Sequence, residues 1–236
     1  VVGHYLHGHQ QDQVSIYLKE LEDTPPVNQD GATDHVYVPR YNQLFGRRNY
    51  VGGWGLQVNY GSYMFPGQAL RIPGYGAGFK QRVRNMQPGF LLFGSWGKTL
   101  STPGNYVTVD PDRRDDCGIP IPVVHYRFVE NDYKLWRAAN ESKLEICSQL
   151  KGQVFPDFGD APRGFASHAV GTIRMGHNPQ TSVLNGFCQA RDVNNLFVTD
   201  GSCFTTSSEK NPTLTIMALS MRAADYIKEQ RRRGEL

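Results

Sequence analysis

Cysteine is scarce and scattered: four in 236 residues, Cys117, Cys147, Cys188 and Cys203, with no C-x-x-C pair among them. That excludes a disulfide framework and a thioredoxin-like redox motif, and leaves reduced, buried thiols as the reading. A chain independent of disulfides leans towards the cytoplasm, with the periplasm as the alternative. G-x-G-x-x-G, G-x-S-x-G and H-E-x-x-H are all missing. Their absence removes the glycine-rich pyrophosphate loop, the nucleophile elbow of α/β-hydrolases and the zincin helix, in that order. No apolar run reaches membrane-spanning length and the N-terminus carries no signal-peptide pattern, so no membrane span is expected. Basic residues outnumber acidic ones by only three, and they are dispersed except for Arg231, Arg232 and Arg233. That triplet reads as a solvated helix end favoured by the helix dipole, so no nucleic-acid partner is expected. Internal repeats and low-complexity stretches are also absent.

What is present suits a globular chain. Hydrophobic residues make up 39% and charged ones 20%, enough for a sizeable core in one large or two small domains. From Val14 to Phe93 the text is β-like and punctuated by Gly and Pro, with V-S-I-Y-L, H-V-Y-V-P, G-L-Q-V-N-Y and G-F-L-L-F-G as strands. Aromatics recur here, from Tyr41, Phe45, Tyr50 and Trp54 to Tyr60, Tyr63, Phe65, Tyr75 and Phe79. They suit either a carbohydrate-pocket wall or ordinary sheet core. Y-V-T-V-D-P alternates as a strand and stops at Asp110-Pro111, a turn signal. D-D-C-G-I-P-I-P-V-V-H-Y-R-F follows as turn and strand, with His125 in a structural role. Asp132 is placed to cap a helix from Tyr133 to about Leu150, with Leu135, Ala139, Leu144 and Ile146 as its apolar face. The fold class expected is α+β.

The chemistry concentrates between Gly164 and Ile227. His168 sits among Ser167, Ala169, Val170, Gly171 and Thr172, small neighbours that let a ligand approach, and Gly171 can take dihedrals closed to other residues. A histidine there titrates near neutrality and suits general-base work; a hydrogen-bonded structural histidine is the alternative. Asn195 to Thr199 reads as a buried parallel strand delivering Asp200 and Gly201 to a sheet edge. Asn211 then reads as an N-cap and Pro212 as the first helical residue. Leu214, Met217, Met221 and Ala224 follow at helical spacing, widened by Ile216, Leu219, Ala223, Tyr226 and Ile227. The positive end of that helix dipole suits an anion, or a group that becomes one. His4, His7 and His9 form a ligand-rich H-x-x-H-x-H, but no carboxylate or cysteine stands at zinc spacing beside them, so packing or polar anchoring is the reading and no metal is expected.

Three blocks carry a resemblance: H-A-V-G-T-I-R-M-G (His168 to Gly176), N-L-F-V-T-D-G-S (Asn195 to Ser202) and N-P-T-L-T-I-M-A-L (Asn211 to Leu219). In this order, with His168 and Asn211 separated by 211 − 168 = 43 positions, the chain resembles the C-terminal part of the glucose–methanol–choline (GMC) flavin-dependent alcohol oxidoreductases. T-S-V-L-N and the Asn-Pro pair look most like the pyranose oxidase and gluconate dehydrogenase-like group. The resemblance implies FAD as cofactor and a small alcohol, sugar, polyol or sugar acid as substrate. It implies His168 as base and Asn211 as partner of the same hydroxyl, with the backbone at Pro212 and Thr213 near the flavin pyrimidine edge. Asp200 and Gly201 are implied at the ribityl-pyrophosphate. The electron acceptor, whether oxygen, a quinone or a cytochrome, stays open.

By the same resemblance, G-x-x-L-x-x-H (Gly3 to His9) looks like the end of a flavin-binding section covering 1–13. Residues 14–160 correspond to the substrate-binding region, with the family's C-terminal domain beginning near 95–120. The active-site segment is 161–194. Residues 195–236 are expected as a strand and helix returning to an α/β FAD-binding domain whose N-terminal half lies outside the chain. Two other classes are weighed: a serine hydrolase using Ser167-His168 or Ser202, and a non-catalytic carbohydrate-binding module built on the aromatic strands. Neither accounts for the His168–Asn211 pairing.

Overall fold

A computed structural model describes residues 1–24, 35–40, 48–60, 64–157, 159–162 and 168–236. Tyr41, Phe45, Tyr63 and Ser167, named above, lie outside the described residues. In chain order the elements are β1 (His9–Tyr17), β2 (His35–Val38), β3 (Trp54–Asn59), α1 (Pro66–Ala69), α2 (Gly76–Met86), β4 (Phe90–Lys98), β5 (Tyr106–Arg114), β6 (Pro120–His125), α3 (Glu130–Gln149), β7 (Gln153–Asp157) and α4 (Thr213–Arg233). The architecture is α+β. Two compact units divide the chain: one of Val1–His9, Lys98–Asp132 and Gly164–Leu236, the other of Gln10–Gly97 and Tyr133–Arg163.

The second of these is built on a sheet in the order β2-β3-β4-β1-β7. β3 pairs antiparallel with β2 and β4, and β1 antiparallel with β7. Val14 and Ile16, two apart and fully buried, share one face of β1 and pack with Phe93 and Cys147. Trp54 and Leu56 do the same from β3 against Leu135 and Ala139 of α3, which makes Trp54 sheet core and not a pocket wall. β2, β3 and β4 fall on the Gly- and Pro-bounded runs read as strands.

α2 does not follow the β-like reading of this region. Its residues are G-A-G-F-K-Q-R-V-R-N-M, and two glycines in the first turn hide the helical pattern. Met86 and Val83 nevertheless pack at one-turn spacing with Met64, Phe90 and Phe155. In α3 the buried face is Leu135, Ala139, Lys143 and Cys147, repeating every fourth residue, while Leu144 is exposed. A lysine thus takes a buried position that the expected face of Leu135, Ala139, Leu144 and Ile146 did not include.

Lys143 is fully buried, and its Nζ donates to Ser95 Oγ at 2.9 Å. Ser95 in turn donates to the Asp12 carbonyl at 3.3 Å, and the Trp136 indole N–H donates to the Asp12 carboxylate. Burial pulls the Lys143 ammonium down to about 7, opposed by the charge of Asp12. The unfolded chain keeps an ordinary lysine, so between about pH 7 and 10.5 it binds more protons than the native state. Stability therefore rises with pH across that window. Urea unfolding at pH 6, 8 and 9.5 should show wild type gaining on Lys143→Met as pH rises. A difference between the two proteins that does not change with pH would remove the buried charge from the account.

In the other unit, β5 and β6 form an antiparallel hairpin. β5 does not stop at Asp110: the register shifts between Val109 and Arg114, and Asp110 Oδ1 accepts from the backbone N–H groups of Asp112 and Arg113 at 2.9 Å. A bulge absorbs the turn signal. His125 stacks on Tyr106, which stacks on His4, at centroid distances of 4.3 and 5.1 Å. α3 begins at Glu130, before Asp132; the Asp132 carboxylate reaches back to the Val129 N–H at 3.0 Å, capping from the first turn.

The expected strand at 195–199 does not form. Phe197 makes one isolated bridge with Gln189, and Asn195 and Leu196 are exposed. A strand exists only as part of a ladder, and this run has no second partner among the described residues. α4 forms as expected but turns the other way. Ile216, Leu219 and Ala223 pack with Val170, Leu184, Cys188 and Cys203, whereas Leu214, Met217 and Met221 are 79%, 58% and 70% exposed. Three cysteines are buried and Cys117 is exposed.

Candidate active site

Three stretches distant in sequence are laced together around His168. His7 and Val170 exchange backbone hydrogen bonds at 3.0 and 2.9 Å, and Gly3 N–H donates to Thr172 at 2.8 Å. On the other side Gly171, Ile173 and Met175 donate to the carbonyls of Gly201, Ser202 and Cys203 at 3.1, 2.9 and 2.8 Å. Two glycines permit this closeness. Gly171 has φ +101°, and a side chain there would meet the Tyr5 carbonyl and the His7 ring at 2.5 Å. A Cβ at Gly201 would meet Val170 at 2.9 Å.

His168 itself has φ +73°, a left-handed conformation uncommon for a residue with a Cβ. Such strain is held by surrounding structure and gathers at functional sites. Its ring lies between two partners: Nδ1 is 2.9 Å from His9 Nδ1, and Nε2 is 3.3 Å from Asn211 Nδ2. Partial burial lowers the His168 pKa, which keeps the ring neutral at neutral pH. His9 is buried, and desolvation takes it down to about 4 against the opposing effect of its bond to the Ser208 carbonyl. His4, His7 and His9 go separate ways: His4 Nδ1 meets the Pro103 carbonyl at 2.8 Å, His7 Nδ1 the Tyr5 carbonyl at 2.7 Å, and His9 turns to His168.

His9, His168, Val170, Asn211, Pro212 and Thr215 are among the residues lining a cavity of about 340 Å³, a size suited to a small molecule. The pair named from sequence, His168 and Asn211, is thus brought together. Asn211 is not the N-cap: helix α4 starts at Thr213, Pro212 occupies the cap position, and no side chain caps it. The Asn211 amide faces His168 instead. Uncapped first-turn N–H groups at Thr213 and beyond are donors fit for an electron-rich group. Asp200 accepts from the Ser202 N–H at 2.7 Å and from the Ser202 hydroxyl, which ties up Ser202 away from His168. Asp200, Gly201 and Thr213 do not line the cavity. His9, by contrast, is a site residue that local sequence could not supply, since it contacts His168 from 159 positions away.

A GMC oxidoreductase family model matches residues 101–220. The 2-methyl-1,2-propanediol dehydrogenase of Mycolicibacterium austroafricanum is 37% identical over 186 residues, 76% of this chain and 33% of that protein. The fructose dehydrogenase large subunit of Gluconobacter japonicus is 32% identical over 58% of this chain and 25% of that protein. The chain therefore spans a third or less of the length of these relatives. In fold, a formate oxidase of Aspergillus oryzae superposes with a TM-score of 0.61 at 13% identity, covering 98% of this chain and 48% of that one. With the family model spanning half of its length, the chain belongs to the GMC oxidoreductase family.

Proposed function

We propose that this chain is the catalytic C-terminal portion of an FAD-dependent oxidoreductase acting on the CH–OH group of a small alcohol, sugar, polyol or sugar acid. The observation that carries the reading is the convergence of His168 Nε2 and Asn211 Nδ2, 3.3 Å apart, on one cavity. His168, neutral at working pH, takes the substrate hydroxyl proton at Nε2. Asn211 donates to the same oxygen and fixes the direction of the carbinol C–H; misplacement of about 1 Å costs on the order of 100-fold. Bound flavin supplies the hydride acceptor.

The residues present fit such a cofactor. Backbone N–H groups at the uncapped start of α4, with Pro212 and Thr213, suit the edge of a ring that gains negative charge. Asp200 and Gly201 are assigned to the ribityl-pyrophosphate part. Residues 1–13 and 195–236 belong in this reading to the flavin-binding domain, 14–160 to the substrate-binding region and 161–194 to the active-site segment. Its support is the exposed apolar row Leu214, Met217 and Met221 on α4, a surface suited to cover by a further flavin-binding portion.

Anaerobic titration of the full-length flavoprotein tests the reading. Its flavin absorbance should bleach with at least one member of a panel of primary alcohols, polyols, sugars and sugar acids. A protein that binds FAD and stays oxidised with every member of the panel would overturn it.

A further inference from the structure

We infer that His9 is a positioning residue that fixes the tautomer of His168 and so makes Nε2 the bare nitrogen. One group around the two rings has no choice of role. The Ser208 carbonyl can only accept, and it lies 2.5 Å from His9 Nε2, so that nitrogen carries the proton. His9 is buried and neutral, its pKa being lowered to about 4. A neutral imidazole has one N–H, and it is already committed to Ser208. His9 Nδ1 is therefore an acceptor. Its partner at 2.9 Å, His168 Nδ1, must then be the donor.

His168 in its neutral state thus holds its proton on Nδ1 and presents a lone pair on Nε2. Asn211 agrees with this, since its Nδ2–H can donate to that lone pair at 3.3 Å. Asn211 could not have decided the matter, because an amide can present either its oxygen or its nitrogen. The edge-on arrangement of the two rings, with centroids 5.0 Å apart and planes at 81°, directs the His168 N–H towards a His9 lone pair without stacking.

There is a second consequence for proton transfer. When His168 takes a proton at Nε2 it becomes an imidazolium, and its Nδ1–H still points at the uncharged His9 Nδ1. A hydrogen bond from a charged donor is stronger than one from a neutral donor, so the contact favours the protonated product of the step. His9 never holds the transferred proton.

The role rests on the reading of His168 as base, and two readouts separate them. The first is the tautomer of His168, read from long-range proton–nitrogen correlations of ¹⁵N-histidine-labelled protein, in which protonated and bare ring nitrogens resonate far apart. Wild type should show the Nδ1–H form. His9→Leu should shift His168 towards the Nε2–H form, and His9→Asn, which restores an acceptor oxygen near the former Nδ1, should return it. The second is the rate of flavin reduction by substrate in the full-length protein. It should fall roughly 10- to 100-fold in His9→Leu and recover largely in His9→Asn, the size seen when groups that orient an imidazole are removed. An Nε2–H form in wild type overturns the inference without recourse to any variant that fails to fold. So does a His9→Leu variant that is slowed with the tautomer unchanged. A tautomer that shifts while the rate holds upholds the positioning role and removes His168 as base.

Discussion

Replacing His168 by alanine is expected to slow reduction of the flavin by substrate about 10²- to 10⁴-fold, the usual worth of a positioned acid–base group. That corresponds to roughly 3–5 kcal/mol of barrier. Reoxidation of the flavin should change less, because the hydroxyl proton has left by then. The variant should remain folded and yellow. His168 is only partly buried, and the ladder through Val170, Gly171 and Gly201 is made by backbone groups that alanine keeps. Alanine also preserves the Cβ, so the strain at φ +73° is unchanged and does not mix into the result. Stopped-flow reduction of His168→Ala at the wild-type rate would remove it as the base. Asn211→Ala should slow the same step with little loss of stability, because Pro212, not Asn211, occupies the helix cap.

The largest effect on stability is expected at Gly171. A methyl group there must occupy space 2.5 Å from the Tyr5 carbonyl oxygen, a backbone atom that cannot swing aside. The residue must also hold φ +101°, which disfavours any side chain. Strain and overlap together should cost about 3 kcal/mol or more in Gly171→Ala, a large part of a domain's typical 5–15 kcal/mol. Urea unfolding followed by near-ultraviolet circular dichroism measures it. A midpoint equal to wild type would mean that the His7–Val170 ladder can open without cost. Gly118→Ala is the matched control: it too has positive φ, 79°, but no heavy atom stands within 4 Å of its added Cβ.

Much of this was legible where the physics is local. Strands β2, β3 and β4 follow from short β-like runs bounded by Gly and Pro. The His168–Asn211 pairing was not local physics: it was implied by the family resemblance of the blocks that carry the two residues, and the structure sets them 3.3 Å apart. Features set by distant partners were not legible. Nothing near His9 says that it meets a ring 159 positions later. The run from Asn195 to Thr199 has strand composition, yet its pairing is confined to a short contact with Cys188 to Ala190, too little for a ladder. Asn211 is a good cap by residue type, but its amide has a competing partner in His168. α4 is apolar on more than one face, so periodicity alone could not choose between Ile216, Leu219 and Ala223 and the Leu214, Met217 and Met221 row. Lys143 stands at a position whose spacing predicts burial and whose chemistry predicts exposure, and spacing prevailed.

The unit that holds the site is assembled from three stretches, with Gln10–Gly97 and Tyr133–Arg163 intervening in sequence. That bears on how it folds. The histidine pair, the Ser208 carbonyl bonded to His9 across 199 positions and the Gly3–Thr172 bond are all long-range closures. None can form until chain entropy has been surrendered over a loop of that size, and topologies dominated by such contacts fold slowly. A fragment from Lys98 onward keeps His168 and Asn211 but loses His9 and the strand-like partner of Val170, so the complete site needs the N-terminal stretch as well. Refolding followed through a probe beside His168 should therefore reach its native value in the last phase, after the hairpin of β5 and β6 has formed.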